Sequence, residues 1–427
     1  MRKLCTACAA AALLAALVAG AARPQSATPL LGFVAIGQES WKLAPLDPLT
    51  LAPRPGSSVR VGSRISAWSF SPDRSKLVLG GYDASGKLLL VDTRAMHGLG
   101  LVDTGGTLQM LTTFWPEDRR LYAVVTRLDR RDDGTYMRRP SAIVTLDPSS
   151  PTVLGERSLD GYVYGWAHGA GVLALVLGQE SGVGPAQLVV VGSDGSVKTV
   201  GLPGVQVGYD PVDESAPQAV THYAQPGLAV ASDASRAFVA SPGVLTAVDL
   251  RTFEVSSHPL GSSRRLQRVE KGVPDGSARF VVWARDGELL VTGREDRAVA
   301  GATGAARYES HPTGLQLVNT KDWSTRMVDA TAGYATVGAD AILAMGFAWD
   351  AKQHRTVGLG ATIYGLGGAK RARIFGRQNV YGVVVGRRAF VVGRDIGYTI
   401  VSTTTGRILR KFRHQLPQPL LAAAQDN

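Results

Sequence analysis

The feature that most constrains this chain is a short apolar run, closed by an Asp, Asn or Gly turn, that returns at roughly fifty-residue intervals. Aligned on that turn, the sequence reads Val91-Asp92-Thr93, Leu146-Asp147-Pro148, Ser193-Asp194-Gly195, Val248-Asp249-Leu250, Val318-Asn319-Thr320 and Val401-Ser402-Thr403, with Leu46-Asp47-Pro48 ahead of them. A second turn precedes each, as in Ser71-Pro72-Asp73, Trp115-Pro116-Glu117, Ser232-Asp233-Ala234 and Val385-Gly386-Arg387. Between the two turns lie runs such as LLLVD, AIVTLD, QLVVV, LTAVD and LQLVN, β-branched and almost continuously apolar. Such runs suit strands packed on both faces. Asp and Gly suit the tight antiparallel connections between them.

Four antiparallel strands per repeat make one blade of a propeller, so the expected fold is all-β, a single propeller of four-stranded blades. Units begin near residues 65, 110, 163, 222, 278, 333 and 379, and a block at 31–62 supplies three further strands. Seven or eight blades are therefore expected. The count depends on whether the tail at 415–427 closes the ring by giving the 31–62 block its innermost strand. Two stacked sheets are the alternative, but a sandwich does not require this regular turn order.

Composition agrees with a strand-and-turn protein: 45% of the residues are hydrophobic, only 19% are charged, and 50 are Gly. Residues 1–21 differ from the rest, with Arg2 and Lys3 followed by an Ala- and Leu-rich stretch that ends in small residues. This is the pattern of a removable secretory signal, followed by a linker at 22–30 and the propeller at 31–414. Both cysteines, Cys5 and Cys8, lie inside the signal. The mature chain is expected to have no disulfide and no thiolate chemistry, to be periplasmic or secreted, and not to be a lipoprotein. Losing Arg2 and Lys3 lowers the net charge from +11 to +9, and the remaining basic residues are scattered, without a nucleic-acid signature.

WSFSPDRSKLVLGG followed by KLLLVDTRAM resembles the repeats of bacterial exported propellers of the YVTN and WD-repeat-like superfamily. The resemblance implies the fold. It does not imply one activity, because that superfamily includes lactonases, quinoprotein dehydrogenase subunits and pure binding modules.

Catalytic motifs are scarce. GYDASGK at 81–87 has the glycine and lysine spacing of a phosphate loop, but Leu88 stands where Ser or Thr is needed. Asp129, Asp132 and Asp133 are interleaved with Arg130 and Arg131, which would repel a cation. The seven histidines are dispersed, with no zinc spacing and no serine-hydrolase elbow. Trp68, Trp115, Trp166 and Trp283 are expected to pack between blades.

The reading that follows is a monomeric, non-catalytic exported propeller without a cofactor or metal. It would bind a protein, peptide or cell-surface polymer and no specific nucleic acid, with no transmembrane segment after processing. The alternative is a lactonase-type hydrolase with a divalent ion held by carboxylates from several blades. Long connections at 128–140, 203–219, 294–313 and 349–357 are all assigned to one face, where rigid scaffolds commonly present functional loops. The candidate binding residues on them are Arg138, Arg139, Tyr209, Asp210, Asp213, Glu214, Arg297, Tyr308, Glu309, His311, Trp349, Asp350, His354 and Arg355. Trp349, Tyr308 and Arg139 are the expected anchors.

Overall fold

The recurring aspartates shape the turns directly. Through Oδ1, Asp73, Asp147, Asp194, Asp233 and Asp322 each accept the backbone N–H two residues ahead, and Asp92 and Asp249 each accept two successive N–H groups. These bonds hold Asp147, Asp233 and Asp249 below the usual carboxylate range. The structure is a computed structural model. It describes residues 30–420 apart from 36–39, 48–51, 63–64, 66, 81–86, 105–107, 131, 133, 135, 211–221, 262–275, 286, 301–305 and 413–417. The signal, most of the linker and most of the 81–87 motif thus lie outside the described residues.

Near-continuous apolarity in the strands reflects burial on both faces. In the hairpin Lys76–Gly80 and Leu88–Asp92, Leu77, Leu79, Leu89 and Val91 pack with Leu31, Leu43 and Val61 of the preceding sheet. Val78, Leu88 and Leu90, on the other face, pack with Leu121, Ala123 and Val144 of the next. Each fully buried Leu or Val contributes about 1.5–3 kcal/mol relative to exposure. The same alternation repeats between successive sheets, and the last sheet meets the first through Leu46, Phe390 and Ile400. The array is therefore a closed β-propeller.

Among the described residues, six separate sheets of four or five strands are present, together with one sheet of ten. The separate sheets occupy 31–62, 67–102, 108–158, 227–259, 332–374 and 380–412. Gln418–Leu420 joins the first of them, antiparallel to Leu31–Ala35 with Leu420 opposite Leu31. The expected seven or eight separate blades are thus corrected to six. The remaining strands are fused in the ten-stranded sheet, which carries the meanders at 162–209 and 276–329.

The physical reason is strand length. Val197–Tyr209 runs for 13 residues, and its far end exposes backbone groups that need partners. Tyr223–Gln225 takes them, pairing antiparallel with Tyr209 on one side and parallel with Gly276–Arg285 on the other. Gly276 is required there, because a Cβ at this position would stand 2.1 Å from the Tyr223 ring.

The first strand of each of seven meanders lies nearest the axis. Ala67–Phe70, Leu108–Glu117, Tyr162–Gly169, Gly227–Val230, Gly276–Arg285, Ala332–Val337 and Val380–Val385 contact one another in that order. This arrangement corrects the expectation for the tryptophans. Trp115 does pack between sheets, donating its indole N–H to the Ser69 carbonyl at 3.2 Å, and Trp283 stacks on Phe238. Trp68 and Trp166 instead line the axial cavity and are 38% and 44% exposed.

Candidate functional site

A four-stranded meander returns the chain to the end from which it started. Each first strand therefore begins at the same end of the propeller, and second-to-third connections open at that end together with sheet-to-sheet connections. By strand order, 128–140, 294–313 and 349–357 are second-to-third connections, and 203–219 leads out of a fourth strand.

These segments are mostly strands, where irregular loops were expected. Arg120–Arg130 pairs with Tyr136–Arg138, Glu288–Ala300 pairs with Ala306–Pro312, and Ala341–Asp350 pairs with Arg355–Gly365. The chain projects as β-hairpins because antiparallel pairing satisfies the backbone groups that a long loop would leave to water. The hairpin at 294–312 also packs against Ala341–Asp350.

Where three meanders, from the 108–158 sheet and the ten-stranded sheet, meet at this end, an aromatic and arginine ridge forms. The Arg138 guanidinium lies 5.7 Å from the Tyr162 ring centroid, and the Tyr162 hydroxyl donates to the Arg138 carbonyl at 3.0 Å. Tyr164 and Tyr209 have ring centroids 5.8 Å apart, and Tyr209 and Tyr223 follow at 5.9 Å. Tyr223 donates to the Asp296 carboxylate, and Arg294 Nε donates to the Tyr223 hydroxyl at 3.2 Å. Burial pushes the Tyr209 phenol up, while the Arg294 and Arg138 guanidiniums draw it back down. Burial and the hydrogen bond to Asp296 keep Tyr223 protonated well above its ordinary range, with Arg294 opposing.

The expected residues divide between this ridge and its supports. Arg138 and Tyr209 belong to it, and Tyr209 is 42% exposed. Asp210 anchors it by accepting the Val183 N–H at 3.0 Å. Arg139 is engaged with Asp129 beside it, so Asp129 serves an ion pair. On the neighbouring hairpin Glu309 bonds buried His311 at 2.8 Å, and Arg297 stands opposite Glu309 in register. Asp350 closes its hairpin turn by accepting the Lys352 N–H at 2.9 Å and the Gln353 N–H at 3.2 Å, while His354 takes the left-handed turn position. Trp349 pairs in register with Thr356, two strands away from the ridge. Arg355 lines a separate cleft of about 780 Å³ with Arg377, Arg394, Tyr381 and Tyr398.

Asp213, Glu214 and the Tyr308 side chain lie outside the described residues. Sequence reading missed Tyr162, Tyr164, Tyr223, Arg294 and Asp296. The available signal was the alternation Tyr162-Val163-Tyr164, with two tyrosines on one face of an innermost strand.

Among the described residues no group of three or more His, Asp or Glu side chains is placed to hold a metal ion, and no helix is long and apolar enough to cross a membrane. The lactonase alternative needs carboxylates converging on the axis. The side chains lining the axial cavity are aromatic, aliphatic and hydroxyl groups with one imidazole.

No protein-family model matches the chain, and no curated protein matches it in sequence. Among solved structures it is similar to the dihydro-heme d1 dehydrogenase NirN in complex with DHE, with a TM-score of 0.55 and 14% identity over 92% of this chain and 74% of that one. It is also similar to BamB from Moraxella catarrhalis, with a TM-score of 0.48 and 13% identity over 81% of this chain and 88% of that one. At these identities the likeness concerns the fold alone.

Proposed function

We propose that this protein is an exported, non-catalytic β-propeller that binds a protein or peptide partner on the hairpin-bearing end. The observation that carries the reading is the ridge itself. Tyr164, Tyr209 and Tyr223 come from separate strands and meet as neighbouring rings, the last two stacked, with Arg294 over Tyr223 and Arg138 over the adjoining Tyr162. Tyr and Arg are the residue types that dominate binding energy at protein interfaces, and a ridge on paired strands is already ordered before the partner arrives. Export rests on the leader at 1–21, whose removal leaves no cysteine.

The test uses the mature protein as bait in envelope extracts, beside a Tyr209→Ala, Arg294→Ala variant. A partner retained by the parent and lost by the variant, with melting unchanged, is the expected result. Equal capture by both proteins, or lactone turnover with stoichiometric bound metal, overturns the reading.

A further inference from the structure

The axis of the propeller holds a cavity of about 440 Å³ whose walls come entirely from first strands of successive meanders. That volume lies within the range of small-molecule sites. Trp68, Trp166, Trp283 and Tyr334, from four different meanders, each precede the first turn of their meander by three or four residues. One residue of strand rise is about 3.3 Å, so the four residues stand at nearly the same depth; Trp283 stacks on Phe238, and the exposed Trp68, Trp166 and Tyr334 form a collar. Core packing does not require this arrangement: Trp68, Trp166 and Tyr334 leave 38%, 44% and 41% of their surface uncovered.

The lining chemistry narrows the ligand. No Asp, Glu, Lys or Arg is among the described side chains of the wall. A charged ligand would lose its hydration there without gaining a counter-ion, and a net charge of +9 without Arg2 and Lys3 adds a field unfavourable to cations. Polar contacts are available from the Thr112 hydroxyl and from the exposed His168 ring, stacked 5.5 Å from Phe114, whose pKa desolvation shifts below the ordinary imidazole value; a neutral imidazole donates from one nitrogen and accepts at the other. Aromatic faces around a few neutral hydrogen-bonding groups suit a flat ring with polar edges.

We propose that the axial collar binds an uncharged, planar heteroaromatic small molecule, held between the faces of Trp68, Trp166 and Tyr334 and bonded at its edge by Thr112 and His168. This site is separate from the hairpin-bearing end and does not depend on a partner binding there.

The experiment titrates the purified mature protein with theophylline, indole and riboflavin, following tryptophan fluorescence and heat. Maltotriose, choline and adenosine monophosphate serve as a neutral sugar, a cation and an anion. At least one of the three heteroaromatics is expected to bind saturably in the micromolar range. Trp68→Ala and Trp166→Ala should each weaken it by roughly tenfold or more, the scale of a buried aromatic anchor. Trp166→Phe should retain most of the affinity, and Tyr209→Ala, on the ridge, all of it. Melting curves of the variants confirm that each is folded. Failure of all three heteroaromatics to saturate at millimolar concentration overturns the proposal, as does affinity untouched by both alanine variants. Tighter binding of maltotriose, choline or adenosine monophosphate assigns the collar to a different chemistry and equally overturns it.

Discussion

Tyr209 and Tyr223 stack with their ring centroids 5.9 Å apart and their planes inclined at 21°. Tyr209 ends the long outer strand of one meander, and Tyr223 sits on the short bridge to the next. The contact is where fusion of two blade-like units and the candidate binding ridge coincide. Loss of Tyr209 should therefore affect recognition more than folding. Tyr209→Ala is expected to cost more than about 1 kcal/mol of partner binding with the melting temperature nearly unchanged, measured by calorimetry against the captured partner.

The anchors expected from sequence, Trp349 and Arg139, make a separate prediction. Arg139 is paired with Asp129, and Trp349 stands two strands from the ridge. If the binding footprint extends along the whole hairpin-bearing end, Trp349→Ala and Arg139→Ala should each cost about 1 kcal/mol or more of binding. A footprint confined to the ridge shows no loss in either variant.

Gly276 tests the bridge. A methyl group there meets the Tyr223 ring at 2.1 Å, so Gly276→Ala should destabilise the fold by about 1–3 kcal/mol in urea unfolding, the usual cost of overpacking. In the Tyr223→Ala background the same substitution should cost much less. Equal costs in the two backgrounds would show that the clash is absent.

Inter-sheet packing predicts a sharp contrast between two leucines. Leu90 is fully buried between two sheets, and Leu90→Ala should cost about 2–5 kcal/mol. Leu154 is 61% exposed on an outer strand, and Leu154→Ala should fall within about 0.5 kcal/mol of the parent by chemical denaturation.

Stability should fall on mild acidification. Partial desolvation by the surrounding protein lowers the folded-state pKa of His168 and of His258 below the ordinary imidazole value of 6.5, the latter also through Arg236. Below 6.5 the unfolded chain takes up protons that the folded chain resists, so this contribution is complete above 6.5 and is lost as pH falls through the folded values. Melting temperatures between pH 8 and pH 5 should decline. The slope should flatten in His168→Gln. The turn aspartates add a second loss below about pH 4, because their folded values also lie under the unfolded one.

Much of the fold could be read from sequence because its signals are local. An Asp that bonds the N–H two residues ahead leaves its mark within a single turn, and a strand buried on both faces is apolar throughout its own length. Asp92 and Leu88–Asp92 show both, and the starts expected near 65, 110, 163, 278, 333 and 379 fall within a few residues of observed first strands. The unit at 333–374, where IYGLGGAKRARIF stands in place of an Asp turn, is still a full meander, since pairing in register does not depend on that residue.

The sites were a different matter. Which face of the propeller Trp166 or Tyr209 looks toward depends on twist, strand overhang and the neighbour reached after closure, none of which is written within a few residues of either. Trp115 and Trp68 both lie on innermost strands, yet one is sealed between sheets and the other looks into the axial cavity. Tyr164, Tyr209, Tyr223 and Arg294 are scattered over more than a hundred positions in the chain and become neighbours only when adjoining meanders pack. The sequence by itself determined the repeating unit through local turn chemistry and two-sided hydrophobicity. The tertiary structure alone decided which aromatics converge, because convergence belongs to the closed ring.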